Sequence, residues 1–218
     1  MFKINFASQS AFKMNENNPH LEALNDIRQM MKQSNRFLSL SGLSGVFAGL
    51  YALAGAWFGD IIINNYIDAI RAGEEGLKAY NKMIMQCILV SALVLGLSLA
   101  TALYFSAQRA KKTGQKLFDH TAWRLVVNLM VPLIAGGGFC LAMLYHTDER
   151  ALMVGPATLV FYGLALVNGS KYTLHDIRYL GYLEIGLGII ACFLPGFGLV
   201  FWAIGFGLLH IIYGSIMW

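Results

Sequence analysis

The amino-acid sequence predicts an all-α, polytopic integral membrane protein: six transmembrane helices in three hairpins, preceded by an amphipathic helix. Three observations carry this. Hydrophobic residues make up 57% of the 218 and charged residues only 13%, roughly half the charge fraction of a soluble domain. The apolar residues are gathered into runs of about 20, the length that crosses the hydrocarbon core of a bilayer. The 16 Lys and Arg are unevenly spread: five lie in residues 1–36, five in 106–124 and two in 168–178, leaving four for the intervening loops. Six spans put the three rich segments on one side, which the positive-inside rule makes the cytoplasm.

Residues 1–36 read as a cytoplasmic tail and an amphipathic interfacial helix. Up to residue 19 the chain is rich in Asn, Ser and Lys and has no period. From His20 to Arg36, Leu21, Leu24, Ile27 and Met31 recur at three- and four-residue spacing, with acids early and bases late. That pattern suits a helix lying in the interface or extending the first span. The first apolar run begins only near Phe37 and is already of spanning length, so no cleavable signal peptide is expected.

Residues 37–218 read as the six-helix transmembrane domain. The first span, 37–58, places Ser41, Gly45 and Gly49 on one face, a small-residue ribbon that lets helices approach closely. Residues 59–82 carry Asp60, Asp68, Arg71, Glu74, Glu75, Lys78 and Lys82 and are expected to form a loop with a short surface helix near Ile61 to Ala72. The second span, 83–105, is smoothly aliphatic, with Ser98 and Thr101 late in it. Arg109, Lys111, Lys112, Lys116 and Arg124 follow as an interfacial basic loop facing anionic lipid. In the third span, 123–145, Pro132 is expected to kink the helix and Gly136 to Gly138 to loosen it. The fourth, 151–167, is the shortest. The fifth and sixth, 179–195 and 197–218, form a terminal hairpin broken at Pro195-Gly196-Phe197-Gly198, and Gly205 and Gly207 give the sixth a second packing surface.

The terminal hairpin carries two groups that hydrocarbon tolerates poorly, Glu184 and His210. Antiparallel helices joined near residues 196 and 197 put residue 184 beside residue 209, so the acid and the imidazole fall at similar depth, in the cytoplasmic half. An intramembrane acid with a partner points to ion or substrate binding, and also fits a structural ion pair, with His175 or Arg178 as other candidate partners. Asn128 is a third candidate. With Ser41, Ser44, Ser98 and Thr101 it completes a polar layer in the cytoplasmic half, which either lines a pocket or bonds helices together.

Several chemistries are excluded. His120, His146 and His175 fall in loops, so a bis-histidine haem has no ligand set. No span contains Lys, which removes a retinal Schiff base. No phosphate-cradling glycine loop occurs, and Cys87, Cys140 and Cys192 lie apart in apolar segments without metal-ligand spacing. No cofactor, metal or nucleic-acid partner is expected, and no catalytic residue is assigned. The net charge of +4 is a consequence of topology.

Ser41-Gly42-Leu43-Ser44-Gly45-Val46-Phe47-Ala48-Gly49 resembles the serine-bearing helix of rhomboid intramembrane proteases, which would make His210, followed by Gly214, a base for Ser44. The chain departs from that family in three ways. The serine helix is the first rather than the fourth, the oxyanion-side histidine and asparagine helix has no counterpart, and Ser44 lies on the cytoplasmic side. At whole-chain scale, Leu21 to Trp57 and the Tyr182-Leu-Glu-Ile-Gly-Leu-Gly hairpin through Leu-Pro-Gly-Phe-Gly to Trp202 resemble six-span inner-membrane proteins of the Bacteroides–Flavobacterium group. That resemblance implies a bacterial cytoplasmic membrane location and no particular chemistry.

The expected function is a scaffold, sensor or regulatory subunit of a membrane complex, with the lipid bilayer, a second copy or another membrane subunit as partner. The alternatives are a small transporter or substrate-binding subunit using Glu184 and His210, and an intramembrane enzyme.

Overall fold

Apolar segments without access to water must satisfy their backbone groups internally, and this chain does so with helices. The computed structural model describes Leu24, Ile27 and residues 42–113, 120–145, 149–173 and 176–217. The chain divides into two compact units, Met1–Asn35 and Arg36–Trp218. In the first, Leu24 and Ile27 are helical and exposed; the rest of the expected amphipathic helix lies outside the described residues, as do Ser41, Lys116, His146 and His175.

The second unit consists of α1 (Gly42–Arg71), α2 (Gly76–Thr113), α3 (His120–Tyr145), a 3-10 turn (Glu149–Met153), α4 (Val154–Gly169), α5 (Asp176–Cys192) and α6 (Gly198–Ile216), with no strand among the described residues. Five helices are long and apolar enough to cross a membrane: α1, α2, α3, the stretch Arg150–Gly169 and α6. The 17-residue α5 is shorter and carries Asp176, Arg178 and Glu184.

The ends differ from expectation more than the centres. α1 runs unbroken for 30 residues, about 45 Å, where a loop and a separate surface helix were expected after residue 58. Its extension is held by side chains one turn apart: Asn64 donates to Asp60 at 3.0 Å and Arg71 to Asp68 at 3.4 Å. It stops at Gly73, whose φ of 84° closes a Schellman turn, with Gly73 N–H bonded to Ile70 O and Glu74 N–H to Ala69 O. α2 likewise continues through Arg109, Lys111 and Lys112, so these bases occupy its last turns instead of a loop, and Arg124 lies in the first turns of α3. Pro132 sits inside the continuous α3. Gly136 seats an aromatic ring from α4: a Cβ there would overlap the Phe161 side chain.

Packing follows small residues. α4 and α5 are antiparallel and touch backbone to backbone: a Cβ on Gly163 would lie 2.6 Å from Gly181 O, one on Gly181 would lie 2.8 Å from Gly163 O, and one on Gly188 would lie 2.9 Å from Pro156 O. α6 runs along α1, with Gly45 against Gly214 and Gly49 against Gly207 and Ile211. α2 packs on α1, with Val90 and Val94 over Gly55, and α3 packs on α4. The closest partner of α6 is therefore α1, and that of α5 is α4. Buried residues are mainly Ala and Gly, whereas Leu93, Val131, Ile134 and Leu141 are each more than 60% exposed. A soluble fold would invert that pattern; helices whose outer face meets lipid have no reason to.

Candidate functional site

Glu184 and His210 meet where α4, α5 and α6 converge. Glu184 is the eighth residue after Asp176 in α5, about 12 Å from either helix end, and none of its surface is exposed. Burial of this position follows from the α4–α5 contact: Gly181 and Gly188, one turn to either side, hold α5 directly against α4, and Glu184 shares their face.

Facing it, α6 departs from regular geometry. Residues Ala203–Leu209 form a seven-residue π-helical stretch between the α-helical segments Gly198–Trp202 and His210–Ile216. A widened turn of this kind changes the backbone hydrogen-bond register and is frequent at functional sites. Here the His210 backbone N–H bonds to Gly207 O, while the imidazole Nδ1 reaches Gly205 O at 3.0 Å. Gly205 also makes room for the acid: a Cβ at that position would overlap Glu184 Oε2 and come within 2.5 Å of Leu159 Cδ2.

The hydrogen bonds define the imidazole. A carbonyl oxygen can only accept, so Nδ1 carries a hydrogen and donates to Gly205. In the neutral ring Nε2 is then the acceptor for the Tyr162 hydroxyl, 2.8 Å away on α4. Glu184 Oε1 lies 3.5 Å from the same Nδ1, an ion-pair distance if the ring is charged. Neither Glu184 oxygen has a hydrogen-bond partner among the described residues. A carboxyl group so placed must carry a proton or face a charged imidazole, since an isolated carboxylate in a medium of low dielectric constant is prohibitively costly. Aromatic rings enclose the imidazole: Phe206 lies 6.0 Å from it and Tyr162 5.4 Å, and Tyr162 and Phe206 are 4.9 Å apart.

Glu184 lies beside Gly205 rather than residue 209. His210 still reaches it because side chains on a helix lean toward its N-terminus, which carries the imidazole back along α6 to Gly205.

The other candidates do not join this site. Asn128 donates to Arg124 O in its own helix at 2.8 Å, and Asn168 on α4 donates to Asn128 O and Oδ1 at 2.8 and 3.3 Å, a clamp between α3 and α4. Thr101 donates to the carbonyls of Leu97 and Ser98. Ser98 and Thr101 are on α2, whose main partner is α1. Ser44 is buried on α1, but both nitrogens of His210 are already engaged by Gly205 and Tyr162, which leaves none as its base. Arg178, a candidate partner for Glu184, instead donates to Ser170 at 3.3 Å. Gly45, Gly49 and Gly207 lie in the α1–α6 contact, whereas Gly205 faces the acid. Arg109, Lys111, Lys112 and Arg124 lie at helix ends.

Tyr162 and Asn168 are the residues that reading the sequence missed. A tyrosine amid apolar residues has no motif, although it is one of three residues of α4, with Thr158 and Asn168, that carry a polar side-chain atom. Asn168 could have been found as the second amide needed to satisfy Asn128. Among the described residues no group of three His, Cys, Asp or Glu is placed to hold a metal ion. No family model, curated protein or solved structure matches the chain.

Proposed function

We propose that this chain is a six-span protein of the bacterial cytoplasmic membrane with both termini in the cytoplasm, and that it acts as a small transporter, or the membrane subunit of one, through ion binding at Glu184 and His210. One observation carries the reading: a wholly buried carboxyl group, both oxygens without a hydrogen-bond partner among the described residues, stands 3.5 Å from an imidazole. Buried polar groups are almost always satisfied in native proteins, and an exception inside a membrane helix calls for a ligand that comes and goes. The π segment opposite and the mid-helix position of Glu184 support this, because transporters bind near the midplane at irregular helix segments.

The scaffold reading loses its main motive. The ribbon of Gly45 and Gly49, which suggested a partner helix, is occupied by α6 of the same chain. Among the described residues an enzyme reading has no nucleophile beside a free base.

The test uses the full-length protein in liposomes loaded with a pH-sensitive dye or a sodium-sensitive one, under an imposed potential. Wild type is expected to carry cation flux that Glu184→Gln abolishes while the amount of folded protein stays nearly unchanged. Equal flux in wild type and E184Q, or flux in neither, contradicts the reading.

A further inference from the structure

We infer that the ion exchanged at this site is the proton, and that Tyr162 delivers it to Glu184 through both nitrogens of His210. This rests on the transport reading above and names its ligand and the ligand's path. The three groups stand in sequence: the Tyr162 hydroxyl bonds to Nε2 at 2.8 Å, and Nδ1, whose hydrogen now rests on Gly205 O, lies 3.5 Å from Glu184 Oε1. Imidazole is the side chain suited to pass a proton in at one nitrogen and out at the other. A metal cation would need several oxygen ligands, whereas the Gly205 carbonyl and the Tyr162 hydroxyl beside this carboxyl group are already bonded to the imidazole.

The transfer balances. From ionised Glu184 and the neutral ring, the costly short-lived state that discharge leaves behind, a proton arrives at the Tyr162 oxygen as that hydroxyl gives its own proton to Nε2. The imidazolium turns its Nδ1–H from Gly205 O to Glu184 Oε1 and releases that proton to the carboxylate. Glu184 ends neutral, the ring ends protonated on Nε2, Tyr162 is unchanged, and the site has gained one proton. The same steps reversed discharge it. Tyr162, half-buried where Glu184 has no exposed surface, is the outer end of this sequence of groups and is taken as the point of entry.

Among the described residues no other charged group interferes. α4 carries no further titratable side chain, and α6 adds only Tyr213, half-buried one turn beyond His210 and packed on Leu166, Ile177 and Leu180. On α5, Tyr179, Tyr182 and Cys192 are exposed, Asp176 sits at the N-terminal end, and Arg178 bonds to Ser170. From α1, packed on α6, Tyr51 is half-buried and Asp60 is exposed.

The test is a pH jump on the full-length protein in lipid, followed by infrared spectroscopy of the protonated-carboxyl C=O stretch, with Glu184's band identified as the one missing in E184Q. Wild type is expected to gain this band promptly on acidification. Tyr162→Phe is expected to slow its appearance by about 100-fold, the scale of losing a positioned proton donor, without removing it. Fluorotyrosine at position 162 keeps shape and hydroxyl but makes a stronger acid, and is expected to change the rate even if the phenylalanine variant does not fold. A Y162F rate within twofold of wild type, or no rate change with fluorotyrosine, overturns the relay while leaving the transport reading to the liposome result. A wild-type protein with no such band, and flux that E184Q leaves intact, overturns both.

Discussion

α2 and α5 show what decides burial in this molecule. α2 is 38 residues long and carries the most hydropathic stretch, yet its buried residues, Ala79, Ser106 and Ala110, lie outside that stretch. α5 is 17 residues long, contains an acid, and buries Gly181, Glu184 and Gly188 against its neighbours. In water the more hydrophobic helix would be the inner one. Where the surroundings are themselves apolar, large aliphatic side chains gain nothing by turning inward, and close backbone contact and polar groups select the interior.

The contrast can be broken most severely at the α4–α5 contact. Gly163→Leu or Gly181→Leu forces a side chain into a backbone already at contact distance and is expected to cost about 3 kcal/mol or more, read as loss of folded protein in a detergent melt. Smaller, and specific to the site, is Gly205→Ala: its methyl group displaces Glu184 Oε2, and a loss of about 1–3 kcal/mol is expected, together with loss of flux. Asn168→Leu removes the donor to Asn128 and is expected to cost about 1 kcal/mol, the usual worth of an interhelical bond in membranes, leaving flux intact. Least of all, Leu93→Ala on the outer face of α2 is expected to change stability by less than about 0.5 kcal/mol. A Leu93 effect rivalling that of Gly181 would mean that α2 is covered by protein rather than lipid.

The apolar runs are legible as helices because hydrocarbon leaves the backbone no other local solution. Their ends are less so. α1 passes residue 58 through ordinary helix-forming residues such as Ile61 to Ile63 and stops only where Gly73 permits a positive φ; hydropathy registers the membrane boundary, not the end of the helix. The site divides in the same way. Glu184 and His210 stand out because charge and imidazole are rare in such segments, and the Pro195–Gly198 break fixes their relative depth to within a turn. The π register of Ala203–Leu209 is a property of backbone hydrogen bonding with no mark in composition. Tyr162 comes from α4, and without knowing that α4 rather than α6 is the closest neighbour of α5, nothing in the sequence brings it to the imidazole.

The shared site itself is open to a direct measurement that needs no assay of activity. Solid-state NMR on protein labelled with ¹³C at the glutamate side chains and ¹⁵N at the histidine rings, reconstituted in lipid, reads the separation of the Glu184 carboxyl carbon and His210 Nδ1. A cross-peak consistent with the 3.5 Å contact, on a protonated Nδ1 and lost in E184Q, is the expected result. Its absence, with Glu184 and His210 each unaffected by substitution of the other, would contradict a common site.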